Sequence, residues 1–238
     1  MSPTVVLVHG AFAESSSWDG VIGRLQADGH TVIAAANPLR DVAADAAAVG
    51  DLVRTIGRPV VLVAHSYGGA VISNVPVDAG EIVGLVYVNG FAPDPDESCF
   101  SLAGRFPGGA LGDDTLRPVP RSDGMTDLYL VHDRYHELFC ADVPAAEAGR
   151  MAATQRPAAR EALFAPSGER PLWREVPSWF VIGAEDRIVP AGLQRFMAER
   201  AGARHTLELS GTSHALSVSR PQETANVIRE AAALRVPV

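Results

Sequence analysis

An apolar, largely β-branched run, Val60-Val61-Leu62-Val63-Ala64-His65, stops at Ser66 and gives way at once to Tyr67-Gly68-Gly69-Ala70-Val71-Ile72. Side chains of the first kind suit an extended strand and the paired glycines break it, so the stretch reads as strand, abrupt turn and helix with Ser66 at the corner. A residue in such a corner is forced toward a strained backbone conformation, which lifts its side chain clear of the sheet edge at the N-terminus of the next helix. The crowding requires small side chains two residues before and two after, where Ala64 and Gly68 stand. A small-residue turn of this kind also occurs in any doubly wound protein, where glycine simply lets a helix pack closely on a sheet. The rest of the chain has to decide between a packing device and an exposed nucleophile.

Strand and helix patterns alternate on either side of this corner. Thr4 to Val8 is a nearly continuous apolar run, as expected for a strand covered on both faces, and it ends in His9-Gly10-Ala11-Phe12. Ser15-Ser16-Ser17 offers N-caps for a helix beginning near Trp18, with Val21, Ile22 and Leu25 at helical spacing and Trp18 read as a packing residue. Asp28-Gly29-His30 stops that helix, and Thr31 to Ala35 reads as a strand. Asp41 to Ile56 repeats apolar residues with helical period, and Ile82 to Val88 is a strand after the elbow helix. From Pro93 to about Pro177 the alternation lapses into Pro, Gly, Asp and Arg, with helical patches predicted around Asp127 to Cys140 and Pro144 to Phe164. A structureless loop of that length is improbable inside a compact domain, so residues 93–176 are expected to form an inserted helical cap on a core made of residues 1–92 and 177–238. The pattern resumes with a strand at Ser178 to Gly183, a helix at Ala191 to Arg200, a strand at His205 to Leu209 and a closing helix at Pro221 to Leu234. The expected fold class is α/β: a mostly parallel, doubly wound sheet with helices on both faces.

Composition removes several alternatives. The chain has 238 residues and a formal net charge of -8, with no basic block of the kind that phosphate neutralisation needs, so nucleic-acid binding is not expected. Its 20 basic residues are all arginine, which excludes Schiff-base chemistry on lysine. No apolar stretch reaches the roughly 18 residues of a membrane span, and Met1-Ser2-Pro3-Thr4 leads straight into the first strand without a signal-peptide pattern. A cytoplasmic location is the default expectation, with Cys99 and Cys140 as free thiols. No His-Glu-x-x-His or cysteine cluster suggests a metal, and no cofactor is expected.

Ligands in open parallel sheets bind beyond the carboxyl ends of the strands. Glu185-Asp186-Arg187-Ile188-Val189-Pro190 follows one late strand, and Gly211-Thr212-Ser213-His214 follows the last. With Ser66 at the elbow, the chain order is serine, acid, histidine, each after a strand. In these motifs the chain resembles the α/β-hydrolases over nearly its whole length except the cap, with one departure: Ala64 stands where the usual elbow has its first glycine. The resemblance implies a catalytic triad of Ser66, Asp186 and His214. A serine hydroxyl is a poor nucleophile at neutral pH, so His214 would take its proton during attack and return it to the leaving group, while Asp186 would fix the imidazole tautomer. By the same analogy the backbone N–H groups of Ala11 and Tyr67 would form the oxyanion hole. Glu185 would point to the opposite face from Asp186 if strand geometry persists, and Asp94 or Asp96 could supply the acid from another strand end. His9 and His65 are read as loop-holding residues. His132, His136 and His205 are expected at the solvent or cap boundary.

Ser66 sets aside the dehalogenase and epoxide hydrolase branches, which carry aspartate at the elbow. Val6 to Phe12, Trp18 and the cap segment Cys140-Ala141-Asp142-Val143-Pro144-Ala145 are similar to the small methyl-ester esterase and hydroxynitrile lyase group. Lyases of that group place threonine after the loop histidine and lysine beside the catalytic histidine. Gly10 and Ala215 occupy those positions, and the chain has no lysine to stabilise a departing cyanide. The expected activity is hydrolysis of small to medium apolar carboxylic esters through an acyl-Ser66 intermediate, with Phe12, Tyr67, Phe91 and the cap as pocket walls or, equally, as core. Perhydrolysis (cofactor-free haloperoxidase activity) and carbon–carbon bond hydrolysis could run on the same triad, and the fold also serves slow-turnover ligand receptors. The expected partner is a small-molecule ester, with neither nucleic acid nor membrane; a homodimer stays open.

Overall fold

The computed structural model describes residues 2–234. In chain order it runs through β1 (Thr4–Val8), α1 (Asp19–Ala27), β2 (Val32–Ala35), α2 (Val42–Arg54), β3 (Val60–His65), α3 (Tyr67–Ser73), β4 (Ile82–Val88), α4 (Cys99–Ala103), β5 (Leu116–Pro120), β6 (Thr126–Leu130), α5 (Tyr135–Phe139), α6 (Ala145–Thr154), β7 (Ala158–Ala159), α7 (Arg160–Phe164), β8 (Ser178–Gly183), α8 (Ala191–Arg200), β9 (His205–Leu209), α9 (Leu216–Ser219) and α10 (Pro221–Ala232). Six strands form one parallel sheet in the order β2-β1-β3-β4-β8-β9. The chain leaves β1 for β2 and then crosses back to β3. The strand order therefore reverses at β1, and the carboxyl ends of β1 and β3 flank the crevice this creates.

Successive side chains on each strand face opposite ways, and both faces are covered. Val5, Leu7, Val61, Val63, Val86 and Trp179 pack with Trp18, Val21 and Leu25 and with Val227, Ile228 and Ala231 of α10. Their neighbours Val6, Val8, Leu62, Ala64, Leu85 and Phe180 pack with α2, α3 and α8 on the other side. The central strands are thus mostly apolar and buried because neither face meets water. Trp18 is fully buried in this packing, and Cys99 and Cys140 are buried free thiols. No helix among the described residues is long and apolar enough to cross a membrane.

The first helix starts differently from the sequence expectation. A 3-10 turn covers Ser15–Trp18 with Glu14 before it, no serine side chain caps it, and the Ser17 hydroxyl donates to the Glu14 carbonyl. The segment between β4 and β8 differs more. Besides α4 to α7 it holds a three-stranded antiparallel sheet in the order β5-β6-β7. The patch expected to be helical from Asp127 is strand as far as Leu130, a 3-10 turn over His132–Arg134 and α-helix only from Tyr135. Its partner β5 carries Pro118 and Pro120, which argue against a strand when read locally. Proline is tolerated there because β5 lies at the edge of its sheet.

Candidate active site

Ser66 joins β3 to α3 with φ 54° and ψ −126°, a conformation that a non-glycine residue adopts only when its surroundings impose it. Those surroundings are backbone. A Cβ on Gly69 would lie 2.3 Å from the Phe91 carbonyl oxygen, and one on Gly68 would lie 2.6 Å from that of Val8. The loop after β1 comes as close on the third side, since a Cβ on Gly10 would lie 2.6 Å from the Ser66 Cβ. Three chain segments thus converge on the serine with no room for side chains between them. The Ser66 carbonyl accepts from Gly69 N–H at 2.9 Å and from Phe91 N–H at 3.1 Å, which fixes the turn.

Asp186 and His214 meet beyond the ends of β8 and β9, near the ring of His65, and no hydrogen bond joins the pair to Ser66 among the described residues. The Asp186 side chain sits beyond the end of β8, where its Oδ1 accepts from the backbone N–H of Ile188 and Val189 at 2.8 and 2.9 Å. Its Oδ2 accepts from Gln194 Nε2 at 3.1 Å and from His214 Nδ1 at 2.7 Å. Because a carboxylate oxygen accepts, Nδ1 carries the proton, and Nε2 is left as the free nitrogen. That nitrogen is buried and has no partner among the described residues. Both side chains of the pair are completely buried.

The other carboxylates are engaged elsewhere. Asp94 pairs with Arg174, and Asp96 is exposed. β8 ends at Gly183, so strand geometry does not persist to Glu185; that side chain is exposed and accepts from Gly211 N–H, whereas Asp186 is buried. Asp186 is therefore the acid that the structure brings to His214.

His65 and His9 are held in the interior as neutral rings. Burial, with the nearby His214 ring adding to it, drives the His65 pKa well below its ordinary value, and its Nε2–H donates to the His214 carbonyl at 2.9 Å. Burial lowers His9 to about 4. Its Nδ1–H donates to the Gly10 carbonyl at 2.9 Å, and its Nε2 faces the Arg156 guanidinium at 3.4 Å. Further bonds pin the loop that carries Ala11. Asn37 Nδ2 donates to the His9 carbonyl, Phe12 N–H to the Arg156 carbonyl, and the Tyr135 hydroxyl to the Phe12 carbonyl. Tyr67 opens α3, so its N–H is one of the helix's first four, which lack intrahelical acceptors. The Tyr67 side chain instead runs to α2, where its hydroxyl donates to Asp45 at 2.6 Å. Burial, then the Asp45 carboxylate, pushes the phenol far above its usual range. Phe12 and Phe91, expected as pocket walls or as core, are both buried. His132 is exposed, His136 bonds the Val143 carbonyl, and His205 pairs with Glu230.

Sequence reasoning missed the residues that mount the pair. Asn89, directly after β4, has φ 45° and links two strand ends: its Oδ1 accepts from Gly183 N–H at 2.6 Å, and its Nδ2 donates to the Ser213 and His214 carbonyls at 2.9 and 3.0 Å. The signal available was an Asn-Gly step at the carboxyl end of a central strand, since asparagine tolerates the left-handed region. Gln194 and Phe139 left no such signal. The Phe139 ring meets the His214 ring edge-on at 4.8 Å.

A profile of the alpha/beta hydrolase family matches residues 5–227. Among curated proteins, the chain is 25% identical over 261 residues to an alpha/beta hydrolase, nvfD, of Aspergillus novofumigatus, covering 98% of this chain and 97% of that one. It is 24% identical over 246 residues to a pyrethroid hydrolase of Sphingobium wenxiniae, covering 95% and 86%. Among solved structures, polyneuridine aldehyde esterase superposes with a TM-score of 0.81 at 18% identity, covering 97% of this chain and 99% of that one. With its elbow, its parallel sheet and a family match across nearly its full length, the chain belongs to the alpha/beta hydrolase family.

Proposed function

We propose that the protein is a serine esterase that cleaves small to medium apolar carboxylic esters through an acyl-Ser66 intermediate. One observation carries the reading: a buried Asp186–His214 pair at 2.7 Å whose imidazole leaves Nε2 without a partner among the described residues and lies 4.5 Å from the ring of His65, the residue before a serine at φ 54° on a strand-to-helix corner. In the proposed cycle Nε2 takes the Ser66 proton as Oγ attacks the ester carbonyl, and the imidazolium then protonates the departing alcohol. Asp186 accepts from Nδ1–H throughout and so favours the tautomer that attack requires. The oxyanion would receive the backbone N–H groups of Ala11 and Tyr67; losing one such donor typically costs about 3–4 kcal/mol of barrier. Water then repeats the sequence on the acyl-enzyme.

Two further points support hydrolysis over lyase chemistry. Position 215, beside the histidine, is alanine and the chain has no lysine, so no ammonium is available to a cyanide leaving group. A side chain at position 10 would collide with Ser66, which disfavours the threonine of the lyases. The names of two similar proteins, a pyrethroid hydrolase and polyneuridine aldehyde esterase, agree with the class proposed.

The test is a p-nitrophenyl ester series of increasing chain length with fluorophosphonate labelling. A burst of p-nitrophenol, label on Ser66 and loss of both in Ser66→Ala are expected. Hydrolysis retained in Ser66→Ala would refute the mechanism, and turnover confined to peroxide-dependent or carbon–carbon substrates would refute the ester class.

A further inference from the structure

The loop that carries His214 is gripped from two directions. On the sheet side, Asn89 and His65 hold the carbonyls of Ser213 and His214. On the other side, a short strap of the inserted segment, Phe139 to Val143, holds the residues flanking the imidazole. The Ala215 N–H donates to the Phe139 carbonyl at 2.9 Å, and the Ser213 hydroxyl donates to the Asp142 carboxylate. The Phe139 ring lies edge-on against the imidazole, with Tyr135 stacked behind it at 4.9 Å. The strap is itself closed, because Val143 N–H donates to the Cys140 carbonyl and His136 donates to the Val143 carbonyl. Asp142 is an odd choice for a purely structural contact. Among the described residues its second oxygen, Oδ2, is buried without a hydrogen-bond partner, and the nearest cation is Arg220 at 3.8 Å. A carboxylate half-desolvated for a single serine hydroxyl suggests a demand on where that serine sits, and the serine is one residue from the candidate base.

We propose that Asp142 is a positioning residue for the esterase: by holding the Ser213 hydroxyl it sets the His214 loop, so that Nε2 is aligned with Ser66 only while the inserted segment is docked. The inference rests on the esterase reading above. Asp142 touches neither substrate nor the reacting atoms; it acts through Ser213 on the backbone that carries the imidazole. The Asp186 bond fixes one edge of that ring and Phe139 one face, but the height of Nε2 over the serine follows the loop. An error of about 1 Å there can cost on the order of a hundredfold in rate.

The experiment uses the full chain and counts active sites by fluorophosphonate titration, so that kcat is expressed per site able to react. Asp142→Ala is expected to lower kcat per titrated site, and the labelling rate with it, by roughly ten- to a hundredfold while KM changes little. Asp142→Asn keeps an acceptor oxygen for the Ser213 hydroxyl and should recover most of the rate. Ser213→Ala should reproduce the Asp142→Ala loss, and the double variant should be no worse than either single one, since both remove the same bond. A merely structural Asp142 would lower the melting temperature and the number of titratable sites and leave kcat per site at the wild-type value, which would overturn the proposal. So would multiplicative losses in the double variant, or an Asp142→Asn protein as impaired as Asp142→Ala. Should Asp142→Ala fail to fold, Ser213→Ala decides alone: an unchanged kcat per site would overturn the proposal, and a loss with KM preserved would sustain it. A wild-type protein without label at Ser66 would overturn the esterase reading and this inference together, whereas a labelled, active wild type matched by its Asp142 variants would overturn the inference alone.

Discussion

Mild acid should destabilise this protein before its carboxylates titrate, because two histidines are folded into the interior as neutral rings. Burial is the main cause for His9, reinforced by the Arg156 guanidinium and partly opposed by the bond to Gly10, and the result is a pKa of about 4. An unfolded chain would bind a proton there near the ordinary value of 6.5. Between those two values the unfolded state holds more protons than the folded one, so stability rises with pH. His9 contributes fully above about 6.5 and loses its contribution as pH falls toward 4. Integrating the proton-binding difference from pH 7 to pH 5 gives a loss of about 2 kcal/mol for His9 alone. His65, driven well below its ordinary value by complete burial, acts in the same sense. Together they would remove a sizeable share of a typical domain stability of about 5–15 kcal/mol. Asp45, whose carboxyl is raised by burial, works in the opposite sense: its contribution is present at low pH and lost as pH rises. Urea unfolding at pH 7, 6 and 5 measures the sum, and a His9→Gln variant isolates one part of it, since Asp45 and His65 are common to both proteins. The variant is expected to be less stable at pH 7 yet to lose about 2 kcal/mol less than the wild type on going to pH 5. Equal losses in the two proteins, or a His9 ring proton titrating near its ordinary value by NMR, would refute the reasoning.

Two further outcomes follow from the geometry. Asp186→Asn presents an amide where the His214 Nδ1 proton needs an acceptor and should lower kcat by about three to four orders of magnitude, whereas Asp94→Asn, at a partly exposed ion pair with Arg174, should cost at most a few-fold; steady-state rates with comparable losses would refute the choice of acid. Gly69→Ala drives a methyl group into the Phe91 backbone, which cannot yield as a side chain would, and should cost about 1–3 kcal/mol, or roughly 3–10 °C of melting temperature. Gly23→Ala, on an exposed helical position with nothing within 4 Å, should instead be stabilising by about 0.5–1 kcal/mol, and thermal melts of the two compare them directly.

The parts of this molecule that could be read from the chain are those in which the cause is local. β3 is apolar from Val60 to Ala64 because both its faces are covered, and the break at Ser66 is marked by the paired glycines Gly68 and Gly69 just behind it. The strand ends before Asp186 and His214 could be located the same way, so the elbow, the acid and the histidine were legible as an ordered set on one edge of a sheet. β5 and β6 were not, because the fitness of Pro118 and Pro120 for a strand depends on having a partner on one side only. Asn89 illustrates the same limit at the site. Its neighbours in sequence indicate a turn, and only the tertiary structure brings Gly183 and Ser213 to opposite ends of its amide.

This division between local and distant causes also separates the two halves of the candidate site. Ser66 is positioned by main chain: the β1 loop, the start of α3 and the segment after β4 close on it at distances that admit only glycine, and the strain at φ 54° is held by that packing. The acid and the imidazole are positioned by side chains drawn from β4, α8 and the inserted segment, through Asn89, Gln194, Phe139 and Asp142. A main-chain vise is stiff, and two of its three sides, the start of α3 and the segment after β4, belong to the core, while the third, the β1 loop, is tied to the insertion through Arg156 and Tyr135. The base is mounted across the junction between sheet and insertion, and a motion that admits substrate by lifting the strap would release one of the two grips on its loop. On the roles proposed above, attack and substrate admission would be alternative states of that joint, with His214 aligned on Ser66 only after the inserted segment has returned.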